Sequence, residues 1–234
     1  AQLPLQSAGH NFDLLRRQSI TVVNRFSFDE HVYDDFFQRI YIQNEKPVIY
    51  LVFEGGQYQL GTQQGNYGLV SASWKQKLNI GYGSLDYMFE AGQLFGTVPY
   101  PLLFTPPGNE TIGYSFYRFS LMNYMEYLAD RYVKLNTQLS MNGLLLNQIP
   151  VIKHFNLREL LSFKMLYGGM SNRHLELAEL PSSASAVRKP YMEVGVGVAN
   201  IFRILSLQSV WRLTDTQKSG VERWGIRAAL SVTF

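Results

Sequence analysis

The side chains that most often do chemistry are sparse in this sequence, and their spacing matches no catalytic or metal-binding motif. The four histidines, His10, His31, His154 and His174, are far apart in the chain. None lies two or four residues from another, so no local pair of ring nitrogens could share a metal ion. The absence of cysteine excludes thiolate ligands, cysteine nucleophiles and disulfides. We therefore expect no metal and no cofactor, and we expect histidines exposed on loops at the rims of a sheet.

Two serines and one acidic cluster are the remaining candidates for chemistry. A membrane esterase or phospholipase needs a nucleophile held against a base and an orienting group. Ser162 and Ser206 occupy polar positions of predicted strands, but no histidine lies in a strand beside them. Carboxylate oxygens of an acidic cluster could bind calcium, although such clusters are more often solvated surface; its members are Asp29, Glu30, Asp34 and Asp35. The sequence predicts a protein that is not an enzyme.

Another set of charged residues recurs at alternate positions of extended segments: Lys75, Lys77, Glu90, Lys134, Arg158, Lys164, Glu193, Arg212 and Arg227. Successive side chains of a strand point to opposite faces, so these charges lie opposite an apolar face. In a barrel they would face the lumen. They either pair across a narrow interior filled by side chains or line a basic passage that favours anions. At about ten strands the filled interior is favoured.

The strand that best defines the fold is the last one, residues 224–234. Its apolar face holds Trp224, Ile226, Leu230, Val232 and Phe234, with no charge among them. The length fits the roughly 9–11 residues that a tilted strand needs to cross a bilayer, and the last residue is aromatic. We expect these five residues to form the carboxy-terminal signal that outer-membrane insertion machinery reads, by addition of a strand to a sheet edge.

The same alternation recurs along the chain. It is clear at 70–79, 84–91, 133–141, 157–167, 192–199 and 205–213, and weaker at 17–28, 34–42, 47–55 and 114–127. The predicted fold is all-β: a transmembrane antiparallel up-and-down β-barrel of about ten strands, with twelve strands or part of a larger barrel as alternatives. Residues 1–234 form a single domain, of which 1–16 are an N-terminal periplasmic segment.

An even strand number places both chain ends in the periplasm, and it makes 169–189 and 214–222 extracellular loops. The proline-rich segment 95–113 would then be periplasmic, where turns are usually short. Either one strand is miscounted or this segment folds into the lumen. Prolines remove ladder donors, so it is predicted to be a long structured loop rather than a central strand.

Composition excludes two other classes. No run of about 18 apolar residues exists, which excludes a transmembrane helix. The net charge is only +3 and no Lys/Arg-rich run is present, so nucleic acid is not an expected partner. Aromatic residues make up 14% of the chain, which is typical of barrels with aromatic girdles at both interfaces.

Four segments of the sequence resemble one family: 90–103 (EAGQLFGTVPYPLL), 107–111 (PGNET), 121–127 (LMNYMEY) and 142–150 (NGLLLNQIP). This is a Bacteroidota outer-membrane β-barrel family of unknown function, whose members usually carry an N-terminal carboxypeptidase-regulatory-like domain before the barrel. The resemblance covers roughly 65–234. It implies an outer-membrane address and transfers no catalytic residues. Because no regulatory-like domain is present, we expect a carboxy-terminal barrel portion, a short relative or an incomplete protein.

The leading hypothesis is a non-enzymatic integral protein of the bacterial outer membrane, a structural or accessory subunit of an envelope complex. Its partners would be outer-membrane lipid and lipopolysaccharide, the insertion machinery and other envelope proteins. A small anion-favouring channel or transporter is the first alternative. A soluble β-barrel that binds an apolar ligand is the second.

Overall fold

Almost all regular structure in this computed structural model is β-strand. The structure describes residues 5–7, 10–12, 14–28, 31–34, 39–42, 45–150, 152–177 and 180–230. Within these ranges the helices are four short 3₁₀ turns, at Tyr100–Leu102, Leu146–Gln148, Ile152–Phe155 and Asn172–His174. None of the described helices is long and apolar enough to cross a membrane. The strands are β1 (Leu5–Ser7), β2 (His10–Phe12), β3 (Leu15–Ser27), β4 (His31–Asp34), β5 (Arg39–Ile42), β6 (Val48–Leu60), β7 (Gln63–Asn79), β8 (Gly83–Phe95), β9 (Tyr127–Leu128), β10 (Arg131–Met141), β11 (Arg158–Gly169), β12 (Ser185–Ala186), β13 (Tyr191–Ile201), β14 (Leu205–Arg212) and β15 (Trp224–Leu230).

Nine strands form one antiparallel sheet, in the order β15-β14-β13-β11-β10-β8-β7-β6-β3. The all-β prediction is confirmed, and the clear alternating segments all lie in this sheet. Outside it, β1 pairs with β2, β4 with β5, and β9 runs parallel to β12. In the described part of the chain β3 and β15 are the sheet edges and are not paired with each other, so the sheet is not closed into a barrel.

Two of the weaker strand predictions are corrected. Of residues 34–42, Asp34 belongs to β4 and Arg39–Ile42 form β5, and these two strands pair with each other outside the main sheet. Residues 114–127 are not a sheet strand, although their last residue begins β9. The backbone amides of Ser120 and Leu121 donate to the carboxylate of Glu193 rather than to a neighbouring strand. Met125 has a positive φ of 56°, which ends any extended run there.

This correction changes the end of the sheet at which the long connections are expected. With 114–127 removed from the count, the connection 96–130 lies at the same end as the connections 170–190 and 213–223. The proline-rich segment 95–113 therefore lies at the end with the longer connections, as expected if one strand was miscounted. It also packs on the inner face of the sheet, which is the second alternative stated for it. With nine alternating strands, β3 and β15 both begin at that end and run away from it. The first strand of the sheet therefore begins at one end and the last strand ends at the other, so the prediction that both chain ends lie on the same side does not hold for the described sheet.

The two faces of the sheet differ sharply. On β10, Lys134 and Asn136 are buried, whereas the intervening Val133 and Leu135 point the other way and are partly exposed. We call the buried polar side the inner face. The opposite side, the outer face, is apolar and open to the surroundings: Phe53 is 45% exposed and Trp224 is 53% exposed.

The hydrophobic core lies between the inner face and the connections at one end. Residues 96–130, which we call the inner segment, supply Val98, Tyr100 and Leu103 to one buried cluster together with Tyr58 and Leu60 of β6. They supply Phe119, Met122 and Tyr127 to a second cluster that contains Tyr132 and Tyr191. The long structured loop predicted from the prolines is confirmed, and it covers the inner face.

Candidate functional site: the charged inner face under residues 96–130

The inner segment leaves the sheet at Gly96, a position that only glycine can occupy without strain. Gly96 follows β8 with a φ of +91°. A Cβ at this position would also lie 2.5 Å from the carbonyl oxygen of Asn66. The chain then folds back through the proline-rich stretch, and Phe104 pairs with Ala129 across the base of the loop. These local features turn the segment onto the sheet instead of continuing it.

Glu193 of β13 is the main acceptor for the backbone of the inner segment. Its two carboxylate oxygens accept the N–H groups of Ser120 and Leu121, each at 2.7 Å. The hydroxyl of Tyr191 donates to the same carboxylate at 2.6 Å. The Glu193 side chain is almost completely buried, which requires partners of this kind.

Lys164 of β11 binds the same segment from the neighbouring strand. Its ammonium group donates to the carbonyl oxygens of Ser115, at 2.6 Å, and Arg118. It also lies 4.4 Å from the ring centroid of Tyr114, a cation–π distance. Burial raises the pKa of Tyr114 to about 12, so its phenol is neutral at physiological pH. Lys164 and Glu193 are directly opposite in register, and together they hold both the carbonyls and the amides of residues 115–121.

Arg212 of β14 forms a bidentate ion pair with Glu126 of the inner segment. The two hydrogen bonds are 2.6 and 3.1 Å long, and both side chains are buried. The next residue, Tyr127, donates its hydroxyl to Asp215 at 2.5 Å. Burial raises the pKa of Tyr127 well above its usual value, and this hydrogen bond raises it further. Lys218 approaches Glu126 at 3.7 Å, so the connection after β14 is tied to the segment as well.

Arg227 of β15 completes this arrangement at the edge of the sheet. Its guanidinium donates twice to the carbonyl oxygen of Ser120, at 3.0 and 2.7 Å. It also donates to the exposed carboxylate of Glu222 at 2.6 Å. Ser120 is therefore held by Glu193 through its amide and by Arg227 through its carbonyl.

The other predicted inward charges have different surroundings. Lys134 pairs with Glu90 at 2.6 Å, directly across β10 and β8. Lys75 donates to the hydroxyl of Tyr117 at 2.6 Å, and Lys77 lies opposite Asp86 in register. Arg158 is exposed at the start of β11, at the end of the sheet away from the inner segment. The structure thus brings Lys164, Glu193, Arg212 and Arg227 together around the inner segment, and leaves Arg158 apart.

Two functional contacts of the inner segment were missed in the sequence. His174, expected on an exposed loop, is 1% exposed. Its Nδ1 accepts the N–H of Val98 at 3.1 Å, and its Nε2 faces Asp130 at 3.3 Å. Burial alone would raise the pKa of Asp130, but hydrogen bonds from Ser171 and the contact with His174 outweigh burial and lower it. No local spacing signals this pairing, because 76 residues separate Val98 from His174.

A second missed acceptor stabilises the opposite end of the sheet. Glu159 of β11 accepts the backbone N–H groups of Leu144, Leu145 and Leu146, at 2.7 to 3.1 Å. A buried carboxylate that satisfies three consecutive amides orders the connection between β10 and β11. A turn with an acidic residue some 14 positions later is too common a pattern to predict this contact.

The residues considered for catalysis make structural hydrogen bonds. Ser162 donates to Gln208 at 3.1 Å, and Ser206 donates to the carbonyl oxygen of Ala229. His154 lies on an exposed turn against the carbonyl of Pro150. In the ranges that the structure covers, no group of three metal-ligating side chains occurs. Asp29, Glu30 and Asp35 of the acidic cluster lie outside the described residues, as do the side chains of His10, His31 and Asp34.

The predicted carboxy-terminal signal is described only in part. Trp224, Ile226 and Leu230 lie on the outer face of β15 and are 53, 54 and 79% exposed. Val232 and Phe234 lie outside the described residues. The described part of the strand therefore presents an apolar ridge on the outer face, next to the ridge that Leu207 and Trp211 form on β14.

Taken together, these contacts hold a 35-residue connection against a polar sheet face. Most of these contacts join a charged side chain to backbone groups or to an opposite charge, and the others involve a tyrosine or His174. In the described ranges, the inner face contains no serine hydroxyl hydrogen-bonded to a histidine. The arrangement fixes the inner segment against the sheet.

Comparison with known proteins gives one family match. Residues 4–178 match the model described as "Family of unknown function (DUF5686) C-terminal domain". The match and the resemblance found in the sequence share residues 65–178, and the match extends further toward the first strands. No curated protein and no solved structure gives a significant match.

Proposed function

We propose, starting from the premise that this chain belongs to the family of unknown function DUF5686 (C-terminal domain), that it is a non-enzymatic β-barrel protein of the bacterial outer membrane. In this proposal the outer face meets lipid, and the inner segment fills the interior. The chain acts as a structural or accessory subunit of an envelope complex.

One observation carries the proposal: the burial pattern is the reverse of that in a soluble protein. Lys164, Glu193 and Arg212 are at most 3% exposed. Tryptophan, phenylalanine and leucine side chains on the outer face are 38 to 79% exposed, among them Trp74, Phe89, Leu161, Trp211 and Leu230. Soluble monomers rarely expose an apolar surface this extensive, whereas a lipid-facing sheet requires one.

The two sheet edges support a closed structure in the membrane. In lipid every backbone donor and acceptor must be paired, so a bare edge is not tolerated. In the described residues β3 is one edge of the sheet and is 13 residues long, and Ile20 on this strand is 78% exposed. Since β3 and β15 run in the same direction, antiparallel closure needs an odd number of further strands. One would give ten and three would give twelve, both even totals.

The carboxy-terminal strand supports delivery by the insertion machinery. Its exposed apolar residues Trp224, Ile226 and Leu230 belong to the edge strand β15. At Ala228 this edge is already paired with the inner segment, through the N–H of Tyr114 and the carbonyl of Ile112. Addition of a strand beside Trp224 and Ile226 is how such a signal could be read. Lipid and lipopolysaccharide would then surround the outer face.

The two alternatives have less support. A basic passage that favours anions needs unpaired cations, but Lys164, Arg212 and Arg227 are bound to the inner segment. A soluble ligand-binding barrel would point its apolar residues inward, opposite to the burial described above. Conductance in planar bilayers with anion preference would restore the channel, and a soluble monomer would restore the ligand-binding barrel.

Membrane extraction tests the proposal directly. Isolated outer membranes should retain the protein through a wash with about 6 M urea, a concentration at which unassembled chains are solubilised. The protein should migrate differently on SDS gels before and after boiling, because a closed barrel resists unfolding by SDS. Recovery as a soluble monomer without detergent would contradict the proposal.

Cross-linking in intact membranes tests the role as a subunit. Purification after cross-linking should recover envelope proteins together with this chain; recovery of the chain alone would remove the accessory-subunit role.

A further inference from the structure

The outer face contains one large apolar groove across β7, β8, β10 and β11. Its volume is about 600 Å³, within the range of small-molecule sites. The register places Ala72 opposite Ala91, and Ala91 opposite Val133. These small side chains form the floor, whereas the row two residues along these strands contains Trp74 and Phe89. The groove therefore arises from a row of small residues beside a row of large ones.

One end of the groove is polar. Arg131 and Gln93 are directly opposite each other in register, and both line the groove. On its other side Arg131 is opposite Gly169, where a Cβ would lie 3.0 Å from the Arg131 Nε. The glycine thus leaves room for the guanidinium to lie against the sheet. Among the residues that the structure covers, Arg131 has no carboxylate partner, unlike Arg212 and Arg227.

The position of the polar end matters for what could bind. Arg131 begins β10, and Phe95 and Gly169 end β8 and β11, so this end of the groove lies at the rim of the sheet. The floor at Ala72 and Ala91 lies further along the strands. In a membrane, the cation would lie at headgroup level and the apolar floor would extend toward the hydrocarbon, flanked by Phe95 and Tyr167.

We propose that this groove is a binding site for an anionic membrane lipid with a phosphate-bearing headgroup. One acyl chain lies along Ala72, Ala91 and Val133, and the Arg131 guanidinium donates hydrogen bonds to the phosphate. This inference rests on the proposed function, since it needs the outer face in contact with lipid. Charge complementarity selects the ligand: an unpaired guanidinium suits a phosphate oxygen, and an apolar groove of this volume suits an alkyl chain.

Native mass spectrometry of the detergent-purified protein tests the site. Phosphatidylglycerol and phosphatidylcholine with identical acyl chains are supplied at equal concentration. The wild-type protein should retain phosphatidylglycerol over phosphatidylcholine by about fivefold to tenfold, the effect of roughly one charge at a lipid headgroup. R131Q should remove this preference. Ala91→Phe should lower retention of both lipids, because the ring fills the groove floor.

Matched controls separate the site from general effects. Lys189→Gln removes a cation from the connection at the same end of the sheet, and Val196→Phe adds a ring to the outer face outside the groove. Both should bind like wild type. Equal retention of the two lipids by wild type, or an unchanged preference in R131Q, would overturn the site. Displacement of the lipid by glycerol phosphate alone would also overturn it, since the acyl chain would then contribute nothing.

The outcomes are distinguishable from a failure of the proposed function. A protein that resists urea extraction from membranes but shows no lipid preference keeps the function and loses this site. A protein that is soluble without detergent loses the function, whatever lipids it retains.

Discussion

The Arg212 guanidinium and the Glu126 carboxylate meet across the inner face through two hydrogen bonds of 2.6 and 3.1 Å. Arg212 belongs to the sheet and Glu126 to the inner segment, and both are at most 3% exposed. The pair therefore fixes the segment to β14 in a place that water does not reach. A buried pair of this kind contributes little net stability, but loss of one partner leaves the other charge without compensation.

Replacing Glu126 by glutamine should destabilise the protein strongly. Arg212 would remain buried without a counter-charge, at a cost of about 3–5 kcal/mol. Urea unfolding in detergent, followed by tryptophan fluorescence, measures this change. Glu222→Gln is the matched control, because it breaks the pair with Arg227 at a carboxylate that is 60% exposed; the expected cost is about 0–1 kcal/mol. Similar losses in the two variants would contradict the burial argument.

Replacing Glu193 by glutamine should loosen the inner segment locally. The amide keeps one acceptor oxygen, so one of the two N–H groups of Ser120 and Leu121 loses its partner. Hydrogen exchange of residues 115–123 should accelerate, whereas exchange of β10 should not change. Glu110→Gln provides the control, because Glu110 accepts the N–H of Tyr124 at an exposed position of the same segment. If the exchange of residues 115–123 accelerates in Glu110→Gln but not in Glu193→Gln, the role given to Glu193 is contradicted.

The stability of the protein should decrease in acid partly through Asp130. Its pKa is lower in the folded protein than in the unfolded chain, where it is near 3.9. The ionised carboxylate therefore contributes its full stability above about pH 5, and the contribution is lost as the pH falls through the lowered pKa. Asp130→Asn should be less stable at pH 7 and should show a shallower decrease toward pH 3. An equally steep decrease in the variant would contradict this assignment.

Charge on the outer face should cost more at the centre of a strand than at its end. Leu135 is the fifth residue of the 11-residue β10, whereas Leu230 lies opposite Leu205 at the start of β14. In bilayers, Leu135→Arg should cost about 2–4 kcal/mol and Leu230→Arg about 0–1 kcal/mol. Unfolding from lipid vesicles measures both. Equal costs, or a negligible cost at Leu135, would show that the outer face does not lie in hydrocarbon.

The alternation of side chains made the sheet predictable. Lys134 and Leu135 can be assigned to opposite faces from the residues two positions away, and β10 shows this period in its burial. The period is weak in β3, which is exposed along almost its whole length. The inner segment was predictable only as a structured loop, from its prolines. Its place on the inner face depends on long-range contacts such as Glu193 with Ser120 and His174 with Val98, which no local pattern encodes. Within 114–127, Phe119 and Tyr127 resemble strand residues in the sequence because they pack in a core, whereas Tyr117 and Tyr124 are exposed.

The central claim is that the outer face meets lipid while the inner segment covers the inner face. The chain contains no cysteine, so single cysteines can be introduced one at a time at residues 133–139 without removing others. A nitroxide label attached to each reports collision with oxygen, which enriches in lipid, and with a water-soluble nickel complex.

In vesicles, labels at Val133, Leu135, Thr137 and Leu139 should respond to oxygen, and labels at Lys134, Asn136 and Gln138 should respond to neither reagent. Response of the second group to nickel would reveal an open, water-filled interior. Response of the first group to nickel would place the outer face in water and contradict the account.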